Sequence, residues 1–210
     1  MTEEDARDAL DVPRETLARL ETFVAVLTAE NERQNLVSRP SLQSIWARHI
    51  FDSAQLLRFV PEQAATWLDL GTGAGFPGLV AAAMHPGQFT LVEARKLRVE
   101  FLSRGAEILG VAERTNILLS KIEAVPAAPF AVISARAFAP LDKLLGLAEK
   151  FSTTDTIWVL PKGRNAKSEL DAIRSSWQGD FRLEPSLTDP DAQIIVAREV
   201  RRKHGGKRTR

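Results

Sequence analysis

The spacing of apolar positions changes at about residue 61. In the preceding segment, apolar residues recur every three or four positions: Leu17, Leu20, Phe23, Val24 and Leu27. Together with Pro13, which suits a first helical turn, this spacing predicts an amphipathic helix over residues 13–30. A second helix is predicted over residues 41–59, from a serine cap to the positions before Pro61.

After residue 61, short apolar runs alternate with helical patterns, and no internal repeat is present. The predicted strands are ATWLDL, QFTLVE, NILLS, FAVIS, TIWVLP, FRLEPSL and AQIIVARE. Helices are predicted from about Pro77 and over residues 96–109, 140–150 and 165–175. This alternation is typical of an α/β fold, a mainly parallel sheet covered on both faces. Residues 188–191 are a short connection, so the last two strands should form an antiparallel hairpin.

This pattern predicts a Rossmann-like α/β domain over residues 61–200. An N-terminal helical extension covers residues 1–60, and a basic tail covers residues 201–210. In open α/β sheets, ligands bind at the carboxyl ends of the parallel strands.

A glycine-rich loop, GTGAG, lies at that edge, between the first strand and a helix. Gly71, Gly73 and Gly75 let a ligand approach the main chain closely, and the following helix N-terminus is electropositive. A dinucleotide loop needs a third glycine where this chain has Phe76. Asp69 precedes the loop at the same edge. The loop is therefore predicted to hold a small molecule other than a dinucleotide.

Glu93 ends the second predicted strand, 93 − 75 = 18 residues after Gly75. An acid at this distance can accept hydrogen bonds from both hydroxyls of an adenosine ribose. The alternative is that the glycines only form a tight turn and that both acids are solvated strand ends.

Composition narrows the range of chemistry. The chain has no cysteine, which excludes disulfides, zinc ribbons and thiolate nucleophiles, and with three histidines no metal site is expected. The N-terminus is acidic where a signal peptide is basic, and no apolar run is long enough for a membrane span, so a cytoplasmic location without membrane contact is expected.

Residues 198–210 carry seven basic residues and one acid, a net charge of 7 − 1 = +6, which leaves a net charge of 1 − 6 = −5 for the rest of the chain. Such a tail either binds nucleic-acid phosphates or is a solvated segment that aids solubility.

Several motifs together resemble one known family. They are NLVS (35–38), RHIFDS (48–53), LDLGTGAGFPG (68–78), LVEARKLRVEFL (91–102), ISARAFAPL (133–141) and LPKGR (160–164). These motifs are similar to those of the bacterial glucose-inhibited division protein B family of class I S-adenosylmethionine-dependent methyltransferases. The resemblance implies S-adenosyl-L-methionine as cofactor and N7 of a guanine in 16S ribosomal RNA, position 527 in the family, as methyl acceptor. It also implies 16S rRNA or the assembling small ribosomal subunit as partner.

Carried over from the family, the cofactor contacts fall on Gly71, Phe76, Ile122, Glu123 and Arg136. Two departures leave the details of the pocket open. Lys121 stands where the family has arginine, and the hairpin sequence TDPDAQIIVARE follows the family only loosely.

The absent motifs agree with methylation at guanine N7. The chain has ISARAF where exocyclic-amine methyltransferases carry an N/D/S-P-P-aromatic run, and it has no cysteine to activate a pyrimidine ring. N7 carries a free lone pair, so no catalytic acid, base or nucleophile is expected. Arg136 is predicted to hold the methionine carboxylate or guanine O6, and Lys162 and Arg164 are predicted to contact RNA phosphate.

The N-terminal segment contributes a polar set that we assign mainly to structural support: Asn35, Ser38, Arg48, His49 and Asp52. Arg48 and Asp52 are predicted to pair across one helical turn, and His49 is either a satisfied polar group or a residue with an RNA-binding or catalytic role.

Two other functions are weighed against methyl transfer. An NAD-linked oxidoreductase needs the longer glycine spacing, and a non-catalytic ribosome-binding module explains the tail but not the loop. Methylation of another RNA also stays open. Nothing in the sequence requires a dimer, so a monomer is expected.

Overall fold

The computed structural model describes residues 1–203, so residues 204–210 of the predicted tail lie outside the described chain. Its α-helices are α1 (Glu3–Asp8), α2 (Arg14–Gln34), α3 (Arg39–Leu42), α4 (Asp52–Ala54), α5 (Gly78–Met84), α6 (Lys96–Ile108), α7 (Leu141–Ala148) and α8 (Ala166–Ile173). Within these residues, no helix is both long and apolar enough to cross a membrane.

Seven strands form one sheet. They are β1 (Thr66–Leu70), β2 (Gln88–Glu93), β3 (Thr115–Leu119), β4 (Val132–Ala135), β5 (Ile157–Lys162), β6 (Trp177–Pro185) and β7 (Gln193–Arg202). Their order is β3-β2-β1-β4-β5-β7-β6, with β1 to β5 parallel and β7 antiparallel to both β5 and β6. The predicted fold is confirmed, including the C-terminal hairpin. The insertion of β7 between β5 and β6 is an additional finding.

Each face of the sheet is covered by its own apolar cluster. On one face, Leu20 and Phe23 of α2 pack with Leu79 of α5 and Phe101 of α6. The N-terminal helices therefore share this core instead of forming one of their own. On the other face, α7 and α8 pack over apolar side chains such as Trp158.

The prediction of one continuous helix over residues 41–59 is wrong. Residues 46–51 form a π-helical turn, the short α4 follows, and residues 55–59 are a 3₁₀ turn. The Glu3 carboxylate accepts hydrogen bonds from the backbone N–H groups of Trp46 (3.0 Å) and Ala47 (2.9 Å). This side chain satisfies the free donors of a newly starting turn, as a helix cap does. A distant contact thus stabilises the interruption.

Candidate functional site

The glycine loop lies at the carboxyl end of β1, between the ends of β2 and β4, and leads into α5. Gly71 and Gly73 have φ values of +65° and +60°, a region that favours glycine. A Cβ on Gly71 would lie 2.5 Å from the ring of Phe138, whereas one on Gly73 would make only ordinary contacts, with Arg98 Nη1 at 3.6 Å and the Gly71 carbonyl oxygen at 3.8 Å. The loop therefore has an open floor at Gly73 that a ligand can approach.

Asp69 holds this loop from below. Its fully buried carboxylate accepts hydrogen bonds from the Ser134 hydroxyl (2.6 Å), the Gly78 backbone N–H (3.1 Å) and the Thr72 hydroxyl. Burial raises the pKa of Asp69, and the three donors oppose that change. The side chain lies under the loop and does not line the cavity described below.

Glu93 lies at the end of β2, where the sequence predicts a ribose acceptor. Its carboxylate accepts from the backbone N–H groups of Gly73 (3.1 Å) and Arg95 (2.9 Å). The Arg98 guanidinium lies 3.7 Å from the same carboxylate. The acid is thus held against the glycine loop, and its role as a ribose acceptor stays a prediction.

Arg136, after β4, meets the N-terminal segment. Its guanidinium donates to the Arg48 carbonyl (3.0 Å), to Asp52 Oδ2 (3.2 Å) and to His49 Nδ1 (2.9 Å). It also lies over the Phe76 ring at 5.2 Å, and burial lowers the pKa of Arg136 although Asp52 opposes this. Asp52 therefore pairs with Arg136, 84 residues away, in place of the predicted Arg48.

His49 is neutral in this arrangement. Burial, followed by the charges of Arg136 and Arg48, lowers the pKa of His49 to about 3. Because Nδ1 accepts from Arg136, the proton is on Nε2, which is buried without a hydrogen-bond partner. The ring stacks on Phe76 with centroids 4.8 Å apart. The sequence suggested His49 as a candidate but not this contact.

Asp52 also connects the hairpin to the site. Its Oδ1 accepts from Gln55 Nε2 (2.8 Å) and from the Thr188 hydroxyl (2.9 Å). Gln55 in turn contacts Ser186 and the backbone N–H of Leu187. No pattern in the sequence indicated the contacts to residues 186–188, because those partners are more than 130 residues away along the chain.

Lys162 and Arg164 differ in their surroundings. The Lys162 ammonium donates to the Ala139 carbonyl (3.0 Å) and to Glu169 Oε2 (2.9 Å), and the side chain is 11% exposed. Arg164 is exposed. Of the two residues predicted to contact RNA phosphate, Arg164 is therefore the more accessible.

Ile122 and Glu123 follow β3 at the same edge of the sheet. Ile122 is 5% exposed, and Glu123 is exposed with its carbonyl accepting from Lys150 Nζ (3.1 Å). Neither residue belongs to the wall of the cavity. Their cofactor role stays a prediction.

A cavity of about 1310 Å³ connects these groups. One half, the glycine-loop half, is bounded by residues 71–74, Phe76 and Arg98. The other half, called the far half, is bounded by residues from segments 161–169 and 186–194. The N-terminal segment, including Arg48, His49 and Asp52, lines the cavity as well. Since single small-molecule pockets span roughly 300–1,000 Å³, this cavity has room for a cofactor and part of a second molecule.

Solved structures with a similar fold include the O-methyltransferase from Bacillus cereus in complex with SAH. It has a TM-score of 0.63 at 16% identity, covering 93% of this chain and 96% of that chain. An RNA methyltransferase from Salinibacter ruber in complex with S-adenosyl-L-homocysteine has a TM-score of 0.54 at 18% identity, covering 74% and 93%. The strand order and the glycine loop place the chain in the class I methyltransferase fold.

The chain belongs to the rRNA small subunit methyltransferase G family, whose model matches residues 16–189. The protein of that name from Rhizorhabdus wittichii is 51% identical over 214 residues, covering 100% of this chain and 99% of the relative. The one from Zymomonas mobilis is 46% identical, covering 100% of both. The resemblance and the predicted enzyme class are confirmed: the chain is an S-adenosylmethionine-dependent methyltransferase.

The residues present fit that cofactor. The open floor at Gly73 admits close approach, and the Glu93 carboxylate, which already accepts from Gly73 and Arg95, would use its remaining lone pairs to hold ribose hydroxyls. Bound there, S-adenosylmethionine supplies an electrophilic methyl group on a sulfonium.

Proposed function

We propose that this protein transfers a methyl group from S-adenosylmethionine to N7 of a guanine in 16S ribosomal RNA. The observation that carries the proposal is the continuous cavity, which joins a cofactor loop to a far half with space for a base. The family supports rRNA as the substrate. The finer assignment to guanine N7 rests on the chemistry of the cavity wall.

That wall suits a nucleophile that needs no activation. Among the described residues, the histidine that lines this wall is His49. It is neutral, and its one unprotonated ring nitrogen accepts from Arg136. The chain has no cysteine to attack a pyrimidine. Guanine N7 already has an accessible lone pair and carries no proton, so alignment of the base with the methyl donor is the main requirement.

Four roles follow for the candidate residues. Gly71 and Phe76 form the cofactor cradle, and Glu93 accepts from the ribose. Ile122 and Glu123 lie outside the cavity wall at the same edge of the sheet, and their place beside the adenine is carried over from the family. Arg136 lies over Phe76 beside the loop, which supports the methionine carboxylate as its ligand more than guanine O6.

The RNA is expected to approach from the open side of the cavity. Arg48 and Arg164 are exposed at or beside the cavity wall, and guanidinium groups there suit phosphate contacts. We place the reaction in the bacterial cytoplasm, on 16S rRNA or an assembling small subunit, with the protein acting as a monomer.

The test is incubation of the purified protein with methyl-labelled S-adenosylmethionine and either naked 16S rRNA or small-subunit particles, followed by nuclease digestion and mass mapping. The expected product is a single N7-methylguanosine in 16S rRNA. Label on another RNA, or none in any assembly state while cofactor binds, would support the two alternatives, a different RNA target or a ribosome-binding module. The oxidoreductase alternative is tested by comparing the equilibrium affinities of the protein for S-adenosylmethionine and for NAD. Binding of NAD in preference to S-adenosylmethionine would support an oxidoreductase, and the reverse would exclude it.

A further inference from the structure

The two halves of the cavity lie along the same edge of the sheet, at the carboxyl ends of its parallel strands, and face each other there. Glu169 follows β5 on α8, and β5 is two strands from β1 in the order β1-β4-β5. At about 4.8 Å per strand, the two sides are roughly 10 Å apart. A purine placed between them has one edge toward the methyl donor and the opposite edge toward α8.

Guanine presents different groups on those two edges. N7, with O6 beside it, is on the edge that must face the methyl donor. The opposite edge carries N1–H and the N2 amino group, which are both donors. A residue that selects guanine from the far half must therefore be an acceptor, and an ionised carboxylate is the strongest side-chain acceptor.

Glu169 meets these conditions. Its Oε2 accepts from the Leu141 backbone N–H (2.8 Å) and from the Lys162 ammonium (2.9 Å), which fix the position of the carboxylate. The side chain lines the cavity and is 27% exposed. Within residues 1–203, no protein donor bonds to Oε1. One oxygen is thus anchored and the other is available.

The other acids of the cavity wall are less suited. Asp52 is occupied on both oxygens, by Gln55 and Thr188 on one and by Arg136 on the other. Asp189 lies in the hairpin loop, where its Oδ1 accepts from the Asp191 backbone N–H at 3.0 Å, and it has no cation partner among the described residues. Among the cavity acids of the described chain, only Glu169 combines a helical position and a cation partner with a carboxylate oxygen that accepts from no protein donor.

We propose that Glu169 is the guanine-specificity residue, accepting from N1–H and the N2 amino group of the target base, and that Lys162 positions it. This inference rests on the proposed methylation of guanine N7. It also gives Lys162 a role other than the phosphate contact predicted from the sequence.

The experiment compares the holoenzyme on reconstituted RNA that carries either guanosine or inosine at the target position. Inosine lacks only the N2 amino group and keeps N7. The parent enzyme should prefer guanosine by about 10- to 100-fold in kcat/KM, the value of one hydrogen bond to a charged acceptor.

Glu169→Gln is the informative variant. Its amide oxygen can still accept from Leu141 and Lys162, so the fold is retained, but its NH₂ group faces the donors of the base. We expect kcat/KM on guanosine to fall about 10- to 100-fold, the preference over inosine to disappear, and the affinity for S-adenosylmethionine by calorimetry to stay at the parent value.

Two variants serve as controls. Asp189→Asn should retain the preference for guanosine, and so should Glu113→Gln, an exposed acid in the turn before β3 at the opposite edge of the sheet. The proposal is overturned if Glu169→Gln keeps the parental preference, or if Asp189→Asn is the variant that loses it. Failure of the proposed function is a separate result, because then the parent enzyme itself methylates neither RNA at N7.

Discussion

The buried Asp69 network provides the sharpest prediction, because the sequence suggested a cofactor contact while the structure shows an internal anchor. In Asp69→Asn, the amide oxygen should keep the Gly78 N–H and Thr72 donors, since a backbone N–H cannot turn away. The NH₂ group then faces the Ser134 hydroxyl, which already accepts from Trp67 Nε1 at 2.8 Å. Hydrogen bonds to a charged group contribute about 1.5–3 kcal/mol, so we expect a loss of that order in the free energy of unfolding.

For a chain of this length, each kcal/mol corresponds to roughly 2–4 °C in Tm, so the variant should melt about 3–12 °C lower. Thermal and urea unfolding measure this loss, with Asp155→Asn, an exposed acid, as the matched control that should change by less than about 0.5 kcal/mol. The reasoning is refuted if Asp69→Asn unfolds like the parent while S-adenosylmethionine affinity collapses. That result would return Asp69 to direct cofactor binding.

Three further predictions concern the cavity. The pKa of His49 is about 3 in the folded chain against about 6.5 unfolded, so between these values the unfolded state binds an extra proton and stability decreases as the pH is lowered. From pH 7.5 down to pH 5, the parent should lose about 2 kcal/mol more free energy of unfolding than His49→Asn, as measured by urea unfolding. An equal loss in both proteins would contradict this. Gly71→Ala puts a methyl group against Phe138 at a positive φ and should weaken cofactor binding by calorimetry at least about tenfold, whereas Gly163→Ala, with nothing within 4 Å of its Cβ, should not. Arg164→Ala should lower the slope of log affinity for RNA against log salt by about 0.7–0.9, and an unchanged slope would remove it from the phosphate contacts.

The sheet and the glycine loop could be predicted because their signals are local. Alternating apolar runs predict each strand and its neighbouring helix, and the glycines occupy backbone positions that their own φ values explain. The position of β7 could not be read in this way, because a hairpin can join the sheet by either strand. Its place between β5 and β6 depends on backbone pairing with both neighbours, in which Ile195 lies opposite Leu160 on one side and Leu183 on the other.

The polar contacts of the site were less predictable for the same reason. A helical spacing favoured an Arg48–Asp52 pair, but the π-helical turn changes that spacing and Arg136 arrives from β4. Lys162 resembled a surface cation because its partner, Glu169, lies on the next helix and has no motif of its own. Charges that pair across long loops leave no periodic trace in a sequence.

The contact between Asp52 and Thr188 has a consequence for protein synthesis. Thr188 belongs to the connection that leads into β7, and β7 is the only strand that joins β6 to the remainder of the described sheet. A ribosome that has translated the glycine loop and all five parallel strands has therefore not yet made one side of the cavity. The nascent chain should acquire the proposed RNA-binding cleft only when the last strand has left the exit tunnel, so premature termination after residue 185 should give a product without that cleft.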